Sequence, residues 1–295
     1  MNFTITGSLG NTGKPLTNIL VAAGHQVTVI SSNPDKAGAI KALGAIPAIG
    51  SLTDADFLAD AFRGADAVYT MVPPDMATDD YRAYINRTGN AYVAAIRASG
   101  VTRVVNLSSI GAHLDSGTGP IAGLHDVELL LNAIPGLAIR HLRAGFFYTN
   151  FYANTDMIRH GGILGSNYGP DNTLLMVHPE DIARAAAEEL QQAFSGISVR
   201  YVISDERLAA EIATVLGHAV GKPELPWIGF SDDQALAGML QAGLAAEIAG
   251  KYVEMGTAVR SGRLWEDYRA QNAALIANSI RLEQFAAEFA HAYNG

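Results

Sequence analysis

Three glycines spaced three apart, Gly7, Gly10 and Gly13, stand directly behind a short apolar run that contains Phe3 and Ile5. Leu16, Ile19, Leu20 and Ala23 follow at helical spacing. The order reads as a strand, a tight turn and a helix N-terminus. Gly7 permits the turn, Gly10 lets backbone approach a pyrophosphate, and Gly13 lets the helix pack close to the strand. The first amides of such a helix, with its positive dipole end, suit a phosphate. A glycine-rich hairpin is the other reading of a lone triplet. The next apolar run, Gln26 to Ile30, arrives after a helix that ends at Gly24. That completes a βαβ unit and favours the dinucleotide.

Composition narrows the remaining classes. With 295 residues, 49% hydrophobic and 17% charged, the chain can bury a large core. No stretch reaches the length of about 18 apolar residues that a membrane span needs, so no membrane partner is expected. The first residues enter a strand directly and show no signal-peptide pattern. No cysteine is present, which removes disulfide and thiolate chemistry and makes a cytoplasmic home the expectation. A net charge of -9 argues against a nucleic-acid partner, though not against an anionic cofactor held by local donors.

Cofactor choice is written at the end of the second strand. A carboxylate there would bind the ribose 2′-hydroxyl of NAD and repel a 2′-phosphate. The chain offers Ser31, Ser32 and Asn33 instead, with Lys36 one turn on. This favours NADP(H) over NAD(H). Capping of the next helix by Ser32-Asn33-Pro34 is compatible with the same residues.

Further strands are read at residues 46–49, 67–72, 103–107 and 137–142, with helices between them. Thr53 or Asp54 caps the third helix. Strand and helix alternating five times over predict an α/β protein: a Rossmann doubly wound parallel sheet. Residues 1–150 would form this NAD(P)-binding domain. Residues 151–295 would form a smaller, mostly helical C-terminal lobe, interleaved with the sheet edge. In that half a helix is expected near residues 151–160 and another opening at Pro179. A strand over 199–203 would be followed by a helix capped by Ser204-Asp205-Glu206. Ser231 to Gln234 is a capping box opening a helix through Ile248, and a last, interruptible helix covers 265–293.

The assembled motifs resemble the NmrA-like group of atypical short-chain dehydrogenase/reductases over nearly the whole chain. The similar stretches are Thr6 to Gly13, Val72-Pro73-Pro74, Leu107-Ser108-Ser109, Leu142 to Phe147 and Val177 to Ala183. Within that group the chain looks most like bacterial NAD(P)H quinone oxidoreductases and triphenylmethane reductases. The resemblance implies an NAD(P)-binding Rossmann fold. It implies activity more loosely, because other members are NADP-sensing regulators that bind a protein partner. A homodimer is compatible with it.

Typical short-chain reductases protonate the substrate oxygen with a tyrosine and a lysine four residues later. Here the helix after Ser109 reads Gly123-Leu124-His125-Asp126-Val127-Glu128, and Tyr81 and Tyr148 are followed four residues on by Ile85 and Tyr152. The related quinone and dye reductases often carry a histidine four residues before a glutamate. Leu124 holds that place relative to Glu128, and His125 is one place off.

Hydride delivered to an aliphatic ketone makes an alkoxide, about as basic as hydroxide from water with its pKa near 15.7, and so needs a proton donor. Hydride delivered to a quinone makes a phenolate-like product of pKa about 10, which can wait for solvent. The expectation is therefore an NADP(H)-dependent oxidoreductase acting on a quinone-like or conjugated aromatic acceptor. The alternative is a non-catalytic NADP(H) sensor. Its cofactor residues would be Gly7, Leu9, Gly10, Asn11, Thr12 and Gly13 of the turn, Ser31, Ser32, Asn33 and Lys36, then Val72, Pro73 and Ser108. Phe146, Phe147, Tyr148 and Pro74 would wall the substrate, and His125 is the candidate proton donor. Glu128 reads as a solvated charge. His178, Glu180 and Asp181 read as helix-start residues, so no metal is expected.

Overall fold

A computed structural model describes residues 1–295. In chain order the first elements are β1 (Asn2–Ile5), α1 (Gly13–Ala22), β2 (Gln26–Ser31), α2 (Lys36–Ala42), β3 (Ile46–Ile49) and α3 (Ala55–Phe62). Then come β4 (Ala67–Thr70), α4 (Tyr81–Ser99), β5 (Arg103–Ser109), α5 (Ile121–Asn132) and β6 (Ala138–Ala144). Two-residue β7 (Phe146–Phe147) leads to a 3-10 turn over Tyr148–Asn154 and a π-helical turn over Met157–Gly161. Strands β8 (Leu164–Ser166) and β9 (Thr173–Val177), helix α6 (Pro179–Gln191), β10 (Ile197–Val202) and β11 (Asp205–Leu208) follow. The remainder is α7 (Ala209–Ala219), β12 (Trp227–Gly229), α8 (Asp232–Gln241), α9 (Ala246–Arg260), α10 (Glu266–Ala270) and α11 (Leu282–Asn294).

Seven strands form a parallel sheet in the order β10-β6-β5-β4-β1-β2-β3, flanked by helices. This is the expected α/β Rossmann architecture. The order reverses beside β1, where Phe3 pairs with Val27 of β2 and with Ala67 of β4. Open parallel sheets bind ligands at the carboxyl ends of strands at such a reversal. Phe3, Ile5, Val27, Val29, Val68 and Val104 bury completely or nearly so, as strands covered on both faces must. Asp54 is the cap of α3: its carboxylate accepts the Phe57 amide at 3.0 Å.

The chain divides into two compact units. The first comprises residues 1–109, 123–143 and 182–200, the second residues 110–122, 144–181 and 201–295. Residues 182–200, most of α6 and the first part of β10, thus belong to the sheet unit. Within that unit α5 lies against α4 where side chains are absent. A Cβ on Gly89 would sit 2.9 Å from Val127, and one on Gly123 would sit 2.7 Å from Ile85.

The second unit contains the short sheets β11-β9-β7 and β12-β8 as well as helices. Three expectations are corrected there. Residues 205–208 form a strand antiparallel to β9, and not a helix cap. The helix capped by Ser231 ends at Gln241, with Gly243 at φ +89° ahead of α9. The helix expected near 151–160 is a 3-10 turn followed by a π turn. No helix is long and apolar enough to cross a membrane.

Candidate functional site

The glycine turn is built by hydrogen bonds to its neighbours on either side. The Thr6 amide donates to the Tyr69 carbonyl at 3.0 Å, and the buried Thr6 hydroxyl accepts the Met71 amide at 2.9 Å. Next, the Ser8 amide donates to the Ile30 carbonyl of β2 at 3.1 Å. Gly7 turns the chain at φ +90°, and a Cβ there would lie 2.9 Å from the Met71 side chain. Ser8 is also left-handed, at φ +53°, which is uncommon for a residue with a side chain. A Cβ on Gly13 would collide with the Ser8 carbonyl oxygen at 2.2 Å. Gly13 therefore serves the turn's close return onto the helix start, rather than helix-to-strand packing.

The remaining turn residues differ in exposure. Gly10 is exposed, and a Cβ there would meet only the Gly7 oxygen, at 3.2 Å. Leu9 is half-buried, Asn11 exposed and Thr12 buried. No protein acceptor takes the amides of Asn11, Thr12 and Gly13, and the first turn of α1 carries no acidic side chain. Unpaired amides at a helix start fit a diphosphate.

At the tip of β2 the four expected residues separate. Ser31 is buried and its hydroxyl is fully engaged: it accepts from Ser8 Oγ at 3.0 Å and the Asn33 amide at 3.2 Å, and donates to the Asn33 carbonyl at 3.3 Å. The Ser31 hydroxyl is thus occupied by the protein's own groups. Ser32, Asn33 and Lys36 are exposed. Asn33 Oδ1 accepts the Asp35 amide at 2.9 Å, so its carboxamide hydrogens remain to face a ligand.

After β4, Val72 and Pro73 are half-buried and Pro74 is exposed. The Pro73 carbonyl accepts the Tyr84 hydroxyl at 2.9 Å, which fixes the proline segment to α4. Ser108, near the end of β5, is buried and donates its hydroxyl to Glu128 Oε1 at 2.5 Å. Arg143 Nη2 holds the other Glu128 oxygen at 2.7 Å, and Arg143 Nε reaches Oε1 at 3.1 Å. Glu128, read as a solvated charge, is therefore 4% exposed and ion-paired. Its one signal in sequence was a lone carboxylate inside the apolar run Val127 to Leu131.

A second buried chain runs beneath it. Asn132 Oδ1 can only accept, so His141 Nε2, at 2.9 Å, carries the proton. Nδ1 then accepts from Asn106 Nδ2 at 3.1 Å, and Asn106 Oδ1 takes the Thr70 hydroxyl at 2.9 Å. Burial holds the His141 pKa below the usual histidine range, partly offset by Glu128. His125 is half-buried on α5. Beside it Asp126 accepts Arg82 Nε and Nη2 at 2.6 and 2.7 Å, hydrogen bonds that lower its pKa.

In the second unit Phe146 and Phe147 are half-buried in β7, paired with Met176 and Val177. Tyr148, expected at a substrate wall, is a core residue: fully buried and stacked on Phe285 with centroids 5.1 Å apart. A groove of about 490 Å³ in this unit is lined by Val215, His218, Glu283, Ala286 and Ala290, among others. None of the expected wall residues reaches it. His178 is also buried; its Nδ1 accepts the Glu180 amide at 3.2 Å. No group of three or more histidines or acids has metal-binding geometry.

The parallel sheet with a glycine turn at its strand-order reversal is the architecture of dinucleotide-binding folds. Residues 7–132 match the family model described as NAD(P)H-binding. An NADPH-dependent quinone oxidoreductase from Escherichia coli is similar over 97% of this chain and 98% of its own, with TM-score 0.80 and 21% identity. Triphenylmethane reductase from Citrobacter sp., complexed with NADP(H), is similar over 98% and 99%, with TM-score 0.79 and 20% identity. A nucleoside-diphosphate-sugar epimerase from Staphylococcus aureus covers 97% and 100%, at TM-score 0.78 and 16% identity. These likenesses are of fold, and they agree with the relatives the motifs indicated. No curated protein sequence is significantly similar to this chain.

Proposed function

We propose that the protein is an NADPH-dependent oxidoreductase that delivers hydride to a quinone-like or conjugated aromatic acceptor. The observation that carries this reading is the missing acid. None of the 11 tyrosines is followed four residues later by a lysine. In the sheet unit, Tyr84 and Tyr92 give their hydroxyl protons to the carbonyls of Pro73 and Met71. Burial pushes the Tyr69 and Tyr92 phenols well above their usual range. An acceptor that leaves as a stabilised phenolate tolerates that lack. His125 is the remaining candidate donor of the one proton that completes the reduction.

A bound dihydronicotinamide supplies the hydride, and the chain's residues supply binding and orientation. The amides of Asn11, Thr12 and Gly13 would hold the diphosphate. Ser32, Asn33 and Lys36 would favour a 2′-phosphate, with no carboxylate at the end of β2 to repel it. Pro74, in the sheet unit, is the proposed acceptor contact. The full-length likeness to a quinone oxidoreductase and a triphenylmethane reductase supports the class of acceptor.

NADPH oxidation measured against a panel of quinones and triphenylmethane dyes tests the reading. Turnover well above background with at least one acceptor is expected. No turnover with any of them, alongside intact NADPH binding, would replace the reductase with a sensor.

A further inference from the structure

Ser8 is held from three sides. Its backbone is left-handed, its amide is bound to Ile30, and its carbonyl lies where a Gly13 side chain would otherwise be. Only the hydroxyl has rotational freedom, and it donates to Ser31 Oγ. Ser31 Oγ in turn both donates to and accepts from the backbone of Asn33. The result is a continuous relay from the diphosphate turn, through a buried hydroxyl, to the loop that carries Ser32, Asn33 and Lys36. A serine that accepts two hydrogen bonds and donates its one proton has nothing left for a ligand.

We propose that Ser8 and Ser31 are positioning residues for cofactor selection, acting on NADPH-over-NADH preference without touching the 2′-phosphate. The proposal rests on the NADP(H) preference stated above. Ser31 fixes the height of the Asn33 backbone, and Ser8 ties that height to the turn that grips the diphosphate. The distance between the diphosphate and the 2′-phosphate of one nucleotide is confined to a narrow range by the ribose that joins them. A relay that sets the matching distance in the protein acts as a gauge for it. NADH lacks the second phosphate and is indifferent to the gauge.

The test is calorimetric titration of the full-length protein with NADPH and with NADH. The variants are Ser8→Ala, Ser31→Ala and the double substitution, with Ser8→Gly added because it removes the hydroxyl while easing the left-handed backbone. Each single variant is expected to lower the NADPH-to-NADH affinity ratio about fivefold to tenfold, the loss of one net hydrogen bond. NADH affinity stays nearly constant, and the double variant loses no more than either single one. A lower ratio in Ser31→Ala alone would mean that Ser31 contacts the phosphate directly, and would overturn the proposal. An unchanged ratio in every variant, or an equal fall for both nucleotides, would overturn it as well. If the unmodified protein binds both nucleotides equally, the NADP(H) preference itself fails, and the proposal with it.

Discussion

Glu128 and Arg143, fifteen residues apart in sequence, meet in the interior at 2.7 Å, and the second Glu128 oxygen binds the Ser108 hydroxyl. One carboxylate thereby joins α5 to β5 and β6. Removing one partner of such a pair leaves the other charge buried and unpaired, at a cost of about 3–5 kcal/mol. Glu128→Ala should unfold at a markedly lower urea midpoint than the unmodified protein. A shift equivalent to less than about 1 kcal/mol would show that solvent reaches Arg143.

His141 gives the sheet unit a pH dependence of known sign. Its folded pKa lies below the usual 6.5 because burial disfavours the charged ring. As pH falls through about 6.5 the unfolded chain takes the proton first, so this contribution is complete above that value and is lost below it. Urea midpoints should therefore fall between about pH 7.5 and about pH 5.5. In His141→Gln the slope over that interval should be shallower. An identical slope would assign the dependence to other groups.

Gly10 faces outward, and a Cβ there would meet one backbone oxygen. Gly10→Val should keep the fold, with a circular dichroism spectrum like that of the unmodified protein, and lose at least about tenfold in NADPH affinity, since the role proposed for it is backbone access to a diphosphate. Unchanged affinity would move the diphosphate elsewhere.

Ser32→Asp places a carboxylate beyond β2, where a 2′-phosphate is expected. Repulsion of about 1–4 kcal/mol at close range should lower NADPH affinity by about tenfold or more and leave NADH nearly unaffected. Titration with both nucleotides reads this directly.

In the second unit Asp181 is fully buried and accepts both the Ser204 hydroxyl, at 2.5 Å, and the Ile280 amide, at 2.9 Å. These bonds fasten the segment before α11. Asp181→Ala should cost about 2–4 kcal/mol and speed amide hydrogen exchange across residues 276–282 before other regions. Uniform acceleration throughout the unit would argue for a purely global role.

The elements read most easily were those whose local chemistry agrees with their surroundings. The turn at Gly7, the caps at Asp54 and Ser231 and the strand Gln26 to Ser31 each carry their own signal. Residues 205–208, Asp-Glu-Arg-Leu, do not: nothing in that composition favours a strand, and their pairing with Leu174 and Met176 imposes one. Glu128 was misread for a related reason. A carboxylate on a helix is normally solvated, and only the distant Arg143 makes its burial tolerable. Tyr148 followed an aromatic pattern common to cores and binding walls, and Phe285, 137 positions further on, decides between them. The bonds of the Ser31 hydroxyl to Ser8 and Asn33 are likewise invisible in the sequence, because a hydroxyl's partners cannot be read from its neighbours.

The interleaving of the two units also bears on how the protein is made. The glycine turn directly follows the first strand of the sheet, yet that sheet is finished only by residues near 200. Emerging chains must hold β1 to β6 with the β6 edge unpaired until β10 arrives, a non-local closure that slows folding and prolongs exposure of apolar strand edges. A fragment ending at residue 150 therefore lacks the final strand and is expected to collapse without cooperative unfolding, so a turn formed near the start of the sheet waits on its last strand for support.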